Sequence, residues 1–203
     1  FLKSPEWKRT TAQGWGVNRA ETAEIFTANQ MYIRKFPDRA ASLLGKLHCQ
    51  HYGLPSFGKR LAAATREFVP FSGDPAGWFA QNGRFTDFSG KTIELPERTF
   101  ATHTSGKYTA ARVPLLDVIA EVLRQPDEVW LNNYDGKAFD CLNYIRFYRD
   151  KAINVVCRIE NGKTLAVRTW FEIAIRPTTR SGGKIAPEKD PRLKYRRGLL
   201  VKK

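Results

Sequence analysis

Apolar residues recur with two different periods along this chain, and the change of period divides it. In VPLLDVIAEVLRQPDE (113–128), Leu116, Ile119, Ala120 and Leu123 fall three or four positions apart, on one face of a helix that stops before Pro126. From residue 128 the period drops to two. EVWLNN (128–133), LNYIRFYR (142–149), INVVCRIE (153–160) and TLAVRTWFEIAI (164–175) read as strands. Only Asp150, Lys151 and Ala152 separate the second from the third, and the Asn–Gly pair of ENGK (160–163) is a strong hairpin signal between the third and fourth. In the third strand Ile153, Val155, Cys157 and Ile159 share a face, with Asn154, Val156 and Arg158 on the other. In the fourth, Leu165, Val167, Phe171 and Ile173 form the apolar face with Thr169 among them, while Arg168, Trp170 and Glu172 point away. The chain closes on LKYRRGLLVKK (193–203), where Leu199, Leu200 and Val201 sit between two pairs of cations. A disordered basic tail lacks such an apolar trio, so 194–201 is expected to be a fifth strand.

The first half is less periodic. NRAETAEIFTANQMYIRKF (18–36) predicts a helix with Asn18 as its cap, and SFGKRLAAATREF (56–68) a shorter one. YGLPSFG (52–58), VPFSGDPAGW (69–78) and QNGRFTDFSGK (81–91) are rich in turn residues, and no internal repeat is present. The expected fold is α+β. Residues 1–99 form a mainly helical accessory, delivery or structural region. Residues 100–203 form a domain in which one helix covers one face of a twisted antiparallel sheet of four to five strands, the other face displaying arginines and aromatics.

Charge then narrows the partners. The 203 residues carry a net +14, and residues 101–203 hold 20 Lys and Arg against 11 Asp and Glu. In 176–203 the balance is 10 against 2, and that stretch includes the Gly/Ser-bearing loop TTRSGGK (178–184). Such a field favours phosphate-rich partners, nucleic acid above all, over acidic peptides. No run of 18 apolar residues occurs and FLKSPEW lacks a signal-peptide core, so a soluble chain with no membrane partner is expected; it does not open on Met and is read as a piece of something longer. Three cysteines, Cys49, Cys141 and Cys157, make an odd and irregular set rather than a disulfide framework. HCQH (48–51) offers His48, Cys49 and His51 but no second ligand cluster to close a tetrahedral metal site.

The densest chemistry lies in FATHTSGKYTAARVP (100–114), which gathers His103, Thr104, Ser105, Lys107, Tyr108 and Arg112 just before the helix. RNA cleavage needs such groups: a base for the 2′-hydroxyl proton, cations for the charge growing on phosphorus, and an acid for the leaving oxygen. Histidine suits the acid or base role because its ordinary pKa lies near neutrality. A polar loop leading into a helix explains the same residues equally simply. Tyr144, Arg146 and Tyr148 share a face of the second strand, and Arg168 and Trp170 a face of the fourth, an interleaving that stacks unpaired bases and neutralises phosphates, or merely decorates half-exposed strands. Lys194, Arg196 and Arg197, taken alone, are solvated strand-edge charges.

The order ATHTSGKY, PLLDVIAEVLRQPDEVWL, LNYIRFYRD, INVVCRI, GKTLAVRTWFEIA and LKYRRGLLVKK resembles the phage-associated nuclease-like domains grouped with barnase, EndoU, colicin E5/D and RelE. The second phage type, found at the C-termini of phage head-morphogenesis proteins and polymorphic toxins, is the most similar, over about 100–203. Its distinctive pieces here are PDEVW after the helix, the TWF-bearing strand and the RRGLL ending. The resemblance implies a ribonuclease that needs no metal or cofactor and acts on RNA, tRNA included, in the bacterial cytoplasm. It also implies an immunity protein as partner, expected to be acidic from the +14 charge, and a phage head or secretion system as carrier. It points to His103 as acid or base, Thr169 as a polar site residue, and Arg112, Tyr195 and Arg197 as phosphate contacts. Lys107 joins the catalytic candidates, and Tyr108, Arg146 and Arg168 the substrate-binding ones. With a single histidine in the C-terminal half, Lys107, Tyr108 or an arginine has to partner His103. Two other classes fit the same charge: a non-catalytic nucleic-acid-binding module and a structural component of a phage particle.

Overall fold

The computed structural model describes residues 48–132, 141–160, 164–173, 192 and 195–203. The helix expected over 18–36, the loop 178–184, Lys194 and the Asn161–Gly162 turn lie outside the described residues.

The fold is α+β, built on a seven-stranded sheet. Its strands are β1 (Arg84–Thr86), β2 (Thr92–Glu94), β3 (Glu128–Asn132), β4 (Cys141–Phe147), β5 (Ala152–Glu160), β6 (Thr164–Ile173) and β7 (Leu199–Lys202). They lie in the order β1-β2-β6-β5-β4-β3-β7, with every pairing antiparallel except β2 on β6. The sheet exceeds the expected four to five strands because the turn-rich stretch around 81–91 is itself a hairpin. Asp87 Oδ1 accepts from the backbone N–H groups of Ser89 and Lys91, and Gly90 takes the positive φ of 85° that closes the turn. The strands at 84–86 and 92–94, placed by sequence with the accessory region, thus share a sheet with the second half.

The helices that lie wholly within the described residues are short: α1 (Phe57–Ala62), α2 (Pro75–Gln81), α3 (Glu97–Thr104), α4 (Thr109–Arg112) and α5 (Val118–Arg124). The Ser56 hydroxyl caps α1 by accepting from Lys59 N–H, and the helix ends well before the expected 68. Helix α2 lies in a stretch read as turns, although Asp74 followed by Pro75 is a start signal in its own right: the Asp74 carboxylate accepts from Ala76 and Gly77. Residues 113–115 form a 3₁₀ turn around Pro114, so the helix expected from 113 begins only at Val118. No helix among the described residues is long and apolar enough to cross a membrane.

Both faces of the sheet are buried, which overturns the expectation of one open, arginine-rich face. Helix α5 sets Val118, Ile119, Val122 and Leu123 against Leu142, Tyr144, Val155, Cys157 and Val167. The opposite face is covered by Cys49, Leu54 and Phe57, which pack on Trp130, Ile145, Phe147 and Val156. Tyr144, Arg146 and Tyr148 therefore lie under α5 and not in solvent. Tyr144 donates its hydroxyl to Asp87 Oδ2 at 2.9 Å and Tyr148 to Glu121 Oε2 at 3.0 Å, while Arg146 pairs with Glu121 Oε1 at 2.7 Å and donates to the Gln125 carbonyl.

A bulge changes the faces of β6. Val156 is opposite Thr169 but the next residue, Cys157, is opposite Val167, which leaves Arg168 as the extra residue. Alternation fails across it. Leu165 and Val167 share the α5-side core with Trp170, whereas Phe171 and Ile173 join the core on the other face.

The chain's last strand is secured by a buried ion pair. Arg196, expected as a surface charge, is fully buried; its Nε and Nη2 each lie 2.8 Å from a different oxygen of Glu128, and Nη2 also donates to the Pro55 carbonyl at 3.0 Å. Glu128 further accepts from Trp130 Nε1 at 3.0 Å and Arg60 Nε at 3.2 Å. Every strong acceptor position of this carboxylate is filled from β3, α1 or the approach to β7. Gly198 follows with φ 92°, and its backbone N–H donates to His48 Nδ1 at 2.7 Å, an arrangement that needs the neutral imidazole. Burial, then the Arg197 guanidinium, brings the His48 pKa down to about 4, which keeps that form. A Cβ on Gly198 would sit 2.2 Å from the Leu131 carbonyl oxygen. Gly198→Ala is expected to cost at least about 2 kcal/mol, read as a lower urea midpoint, because left-handed strain adds to a clash with backbone.

Candidate active site

Strand β2 pairs with β6 only at Leu165 and Ala166. Beyond Ala166 the outer edge of β6 carries no strand among the described residues, and the segment from α3 to α4 covers it instead. Two hydrogen bonds fix that segment: His103 Nε2 to the Arg168 carbonyl at 3.1 Å, and Trp170 Nε1 to the Arg112 carbonyl at 3.0 Å. The bulge at Arg168 therefore lies where His103 meets the strand.

An open cleft of about 670 Å³ forms at this junction. Helix α3 contributes Arg98, Thr99, Thr102 and His103 to its lining, and the strands contribute Glu160, Arg168 and Thr169. Thr99, Thr102 and His103 come together because they are three and four positions apart on α3.

His103 is the chemically distinctive member. A carbonyl can only accept, so the bond to Arg168 puts the ring hydrogen on Nε2 and the lone pair on Nδ1. Nδ1 is shielded from solvent and has no hydrogen-bond partner among the described residues. The ring packs edge-on against Trp170, with centroids 5.3 Å apart, and against Tyr108 at 5.6 Å. Burial pushes its pKa below 6.5; the Arg168 carbonyl opposes the shift, and the positive charges of Arg112 and Arg168 reinforce it. The imidazole is thus neutral at neutral pH and able to accept a proton.

The cleft unites His103, Arg168 and Thr169 from among the residues singled out by sequence. Tyr108 touches His103 from the side, and Lys107 holds its ammonium 5.1 Å over the Tyr108 ring. Arg112 lies over the Phe171 ring at 5.1 Å, in a neighbouring cleft. Tyr195 packs on Phe171 at 5.1 Å. Arg146 is held under α5 and Arg197 is buried behind β7, so neither reaches the cleft; burial takes the Arg197 pKa down to about 10. Arg98 and Glu160 were missed by sequence. Arg98 precedes the polar segment 100–114, yet Pro96–Glu97 is a helix start that puts it on the same short helix as His103. Glu160 was absorbed into a turn. Elsewhere, His48, taken by Gly198, and Cys49, whose thiol is pushed up to about 11 by burial, serve the core under β7. No group of three His, Cys, Asp or Glu side chains suited to hold a metal occurs among the described residues.

A family model described as phage-Barnase-EndoU-ColicinE5/D-RelE like nuclease2 matches residues 70–201. The chain belongs to this nuclease family. The matched span takes in α2, the β1–β2 hairpin and all of the cleft, and it begins well before residue 100, where the sequence resemblance starts. No curated protein and no solved structure matches the chain. PDEVW and RRGLL, two of the pieces that carried the resemblance, meet in the Glu128–Arg196 pair.

Proposed function

We propose that the cleft cleaves RNA by attack of a 2′-hydroxyl on the adjacent phosphorus, without a metal ion. The observation that carries this reading is the Nδ1 of a neutral His103, which has no hydrogen-bond partner among the described residues, in a cleft that also holds Arg98 and Arg168. His103 takes the 2′-hydroxyl proton, the 2′-oxygen–phosphorus bond forms, and the bond to the 5′-oxygen breaks. Lys107, beside Tyr108, supplies the proton to the leaving oxygen. Arg98 and Arg168 balance the charge that grows on the phosphoryl oxygens, and the Thr169 hydroxyl donates to one of them. Nδ1 is shielded from solvent in the free chain, so this step requires the side chains around the ring to shift as substrate binds.

The same proposal extends to the setting: a toxin domain acting on RNA, tRNA among its substrates, in the bacterial cytoplasm, with residues 1–99 in part concerned with delivery and an acidic immunity protein matching the +14 charge. The pH dependence of cleavage of a short RNA tests the chemistry. A basic His103 makes kcat/KM rise with pH and level off, the inflection lying below 6.5, since protonation removes the acceptor. An inflection in the opposite sense would assign His103 as the acid and leave Glu160 as the base. A DNA of the same sequence, lacking the nucleophile, is expected to stay intact; its cleavage would contradict the proposal.

A further inference from the structure

A second cleft, of about 590 Å³, opens beside the first and is lined in part by Phe68, Arg112, Lys151, Phe171 and Glu172. The two are successive along one strand: Arg168 and Thr169 wall the first, Phe171 and Glu172 the second. Thr169 and Phe171 are two residues apart, about 6.6 Å along β6, which is of the order of one sugar-phosphate step.

The second cleft holds its cations on aromatic rings. The Arg112 guanidinium carbon lies 5.1 Å over Phe171, and Tyr195 props that ring at 5.1 Å. Lys151 Nζ sits 4.4 Å over Phe68 and 3.5 Å from Glu172 Oε2. Stacking on a ring pre-orients the planar guanidinium, whose outer face is a platform for another flat group and whose N–H edge suits a phosphate. The Glu172 carboxylate adds an acceptor for an exocyclic amine.

We infer that this second cleft is a nucleobase subsite, which stacks the base of the nucleotide next to the scissile one on the Arg112 guanidinium. Glu172 accepts from that base and Lys151 meets the intervening phosphate. The inference rests on the RNA reading of the first cleft and adds to it a reason for single-stranded substrate, because a paired base has no free face to offer. The bulge at Arg168 adjusts the spacing: it sets the His103 contact and the Phe171 platform on one continuous edge.

The test uses 2′-O-methyl RNA oligomers of one to three nucleotides, which bind but lack the nucleophile for cleavage. Adding the nucleotide that reaches the second cleft should tighten binding to the parent chain roughly tenfold, the usual worth of one stacked base. Arg112→Ala should remove that gain, and Arg112→Lys should remove most of it too, since it keeps the charge and loses the plane. An oligomer abasic at that position should gain little over the shorter one. Lys151→Ala should reduce the salt dependence of binding while leaving the base-dependent gain. A full gain in Arg112→Lys, or with the abasic oligomer, or no gain in the parent, overturns the inference. The two readings fail separately: RNA cut without a base-dependent gain removes the subsite alone, whereas a gain without any cleavage of ordinary RNA removes the nuclease reading and leaves the subsite.

Discussion

Replacing Glu128 with alanine is expected to lower folding stability by about 3–5 kcal/mol, measured as the shift in urea midpoint at constant slope. The carboxylate and its Arg196 partner are both fully excluded from water, so removing one leaves the other charge buried and unpaired. Two further donors, Trp130 Nε1 and Arg60 Nε, lose their acceptor at the same time. The double replacement Glu128→Leu with Arg196→Met should recover part of the loss, because it removes both buried charges and keeps the volume apolar, while Trp130 Nε1 still lacks its acceptor. A Glu128→Ala chain within about 1 kcal/mol of the parent would mean that water enters behind β7 and that the pair is not what seats the strand.

His103→Ala is expected to reduce RNA cleavage about 10²- to 10⁴-fold, the range for loss of a positioned acid or base, with RNA binding largely kept. Binding is expected to persist because the phosphate and base contacts proposed above fall to Arg98, Arg168 and Arg112 rather than to the imidazole. The ring is only half-buried, so the variant is expected to fold, a point checked by its urea midpoint. Equal loss of binding and cleavage would instead make His103 a wedge that holds α3 on β6. Arg168→Ala separates the two contributions: the backbone carbonyl that orients His103 survives while the guanidinium is lost, so the pH inflection should move up toward 6.5 as cleavage falls.

Much of the sheet was legible because period two is a local property: β3, β4, β5 and β6 fall within a few residues of where alternation places them. The faces were legible only as far as the ladder stayed regular. Ile153, Val155 and Cys157 do share a face, but the extra residue at Arg168 moves Trp170 inward and Phe171 to the opposite core, and no alternation within β6 announces a bulge. The fate of the arginines was hidden for another reason. Arg196 and Arg146 look like any surface arginine until Glu128 and Glu121, distant in sequence, are brought beside them. The same holds for the second sheet face. Leu54 and Phe57 carry no sign that they fold back over Trp130 and Phe147, and without that cover Tyr144, Arg146 and Tyr148 read as an exposed binding surface. At the site, His103 could be singled out by type and Thr169 through the family resemblance, whereas Glu160 enters the cleft through topology: β2 stops at Glu94 and leaves the edge of β6 to α3.

The most direct measurement of the central claim is to incubate the purified chain and its His103→Ala variant with total bacterial RNA in EDTA and to determine the chemistry of the new ends. Attack by the 2′-hydroxyl predicts discrete fragments ending in 2′,3′-cyclic phosphate with the parent, and RNA left essentially intact by the variant. Intact RNA with both proteins, cleavage abolished by EDTA, or new ends bearing a 3′-hydroxyl and a 5′-phosphate would contradict it.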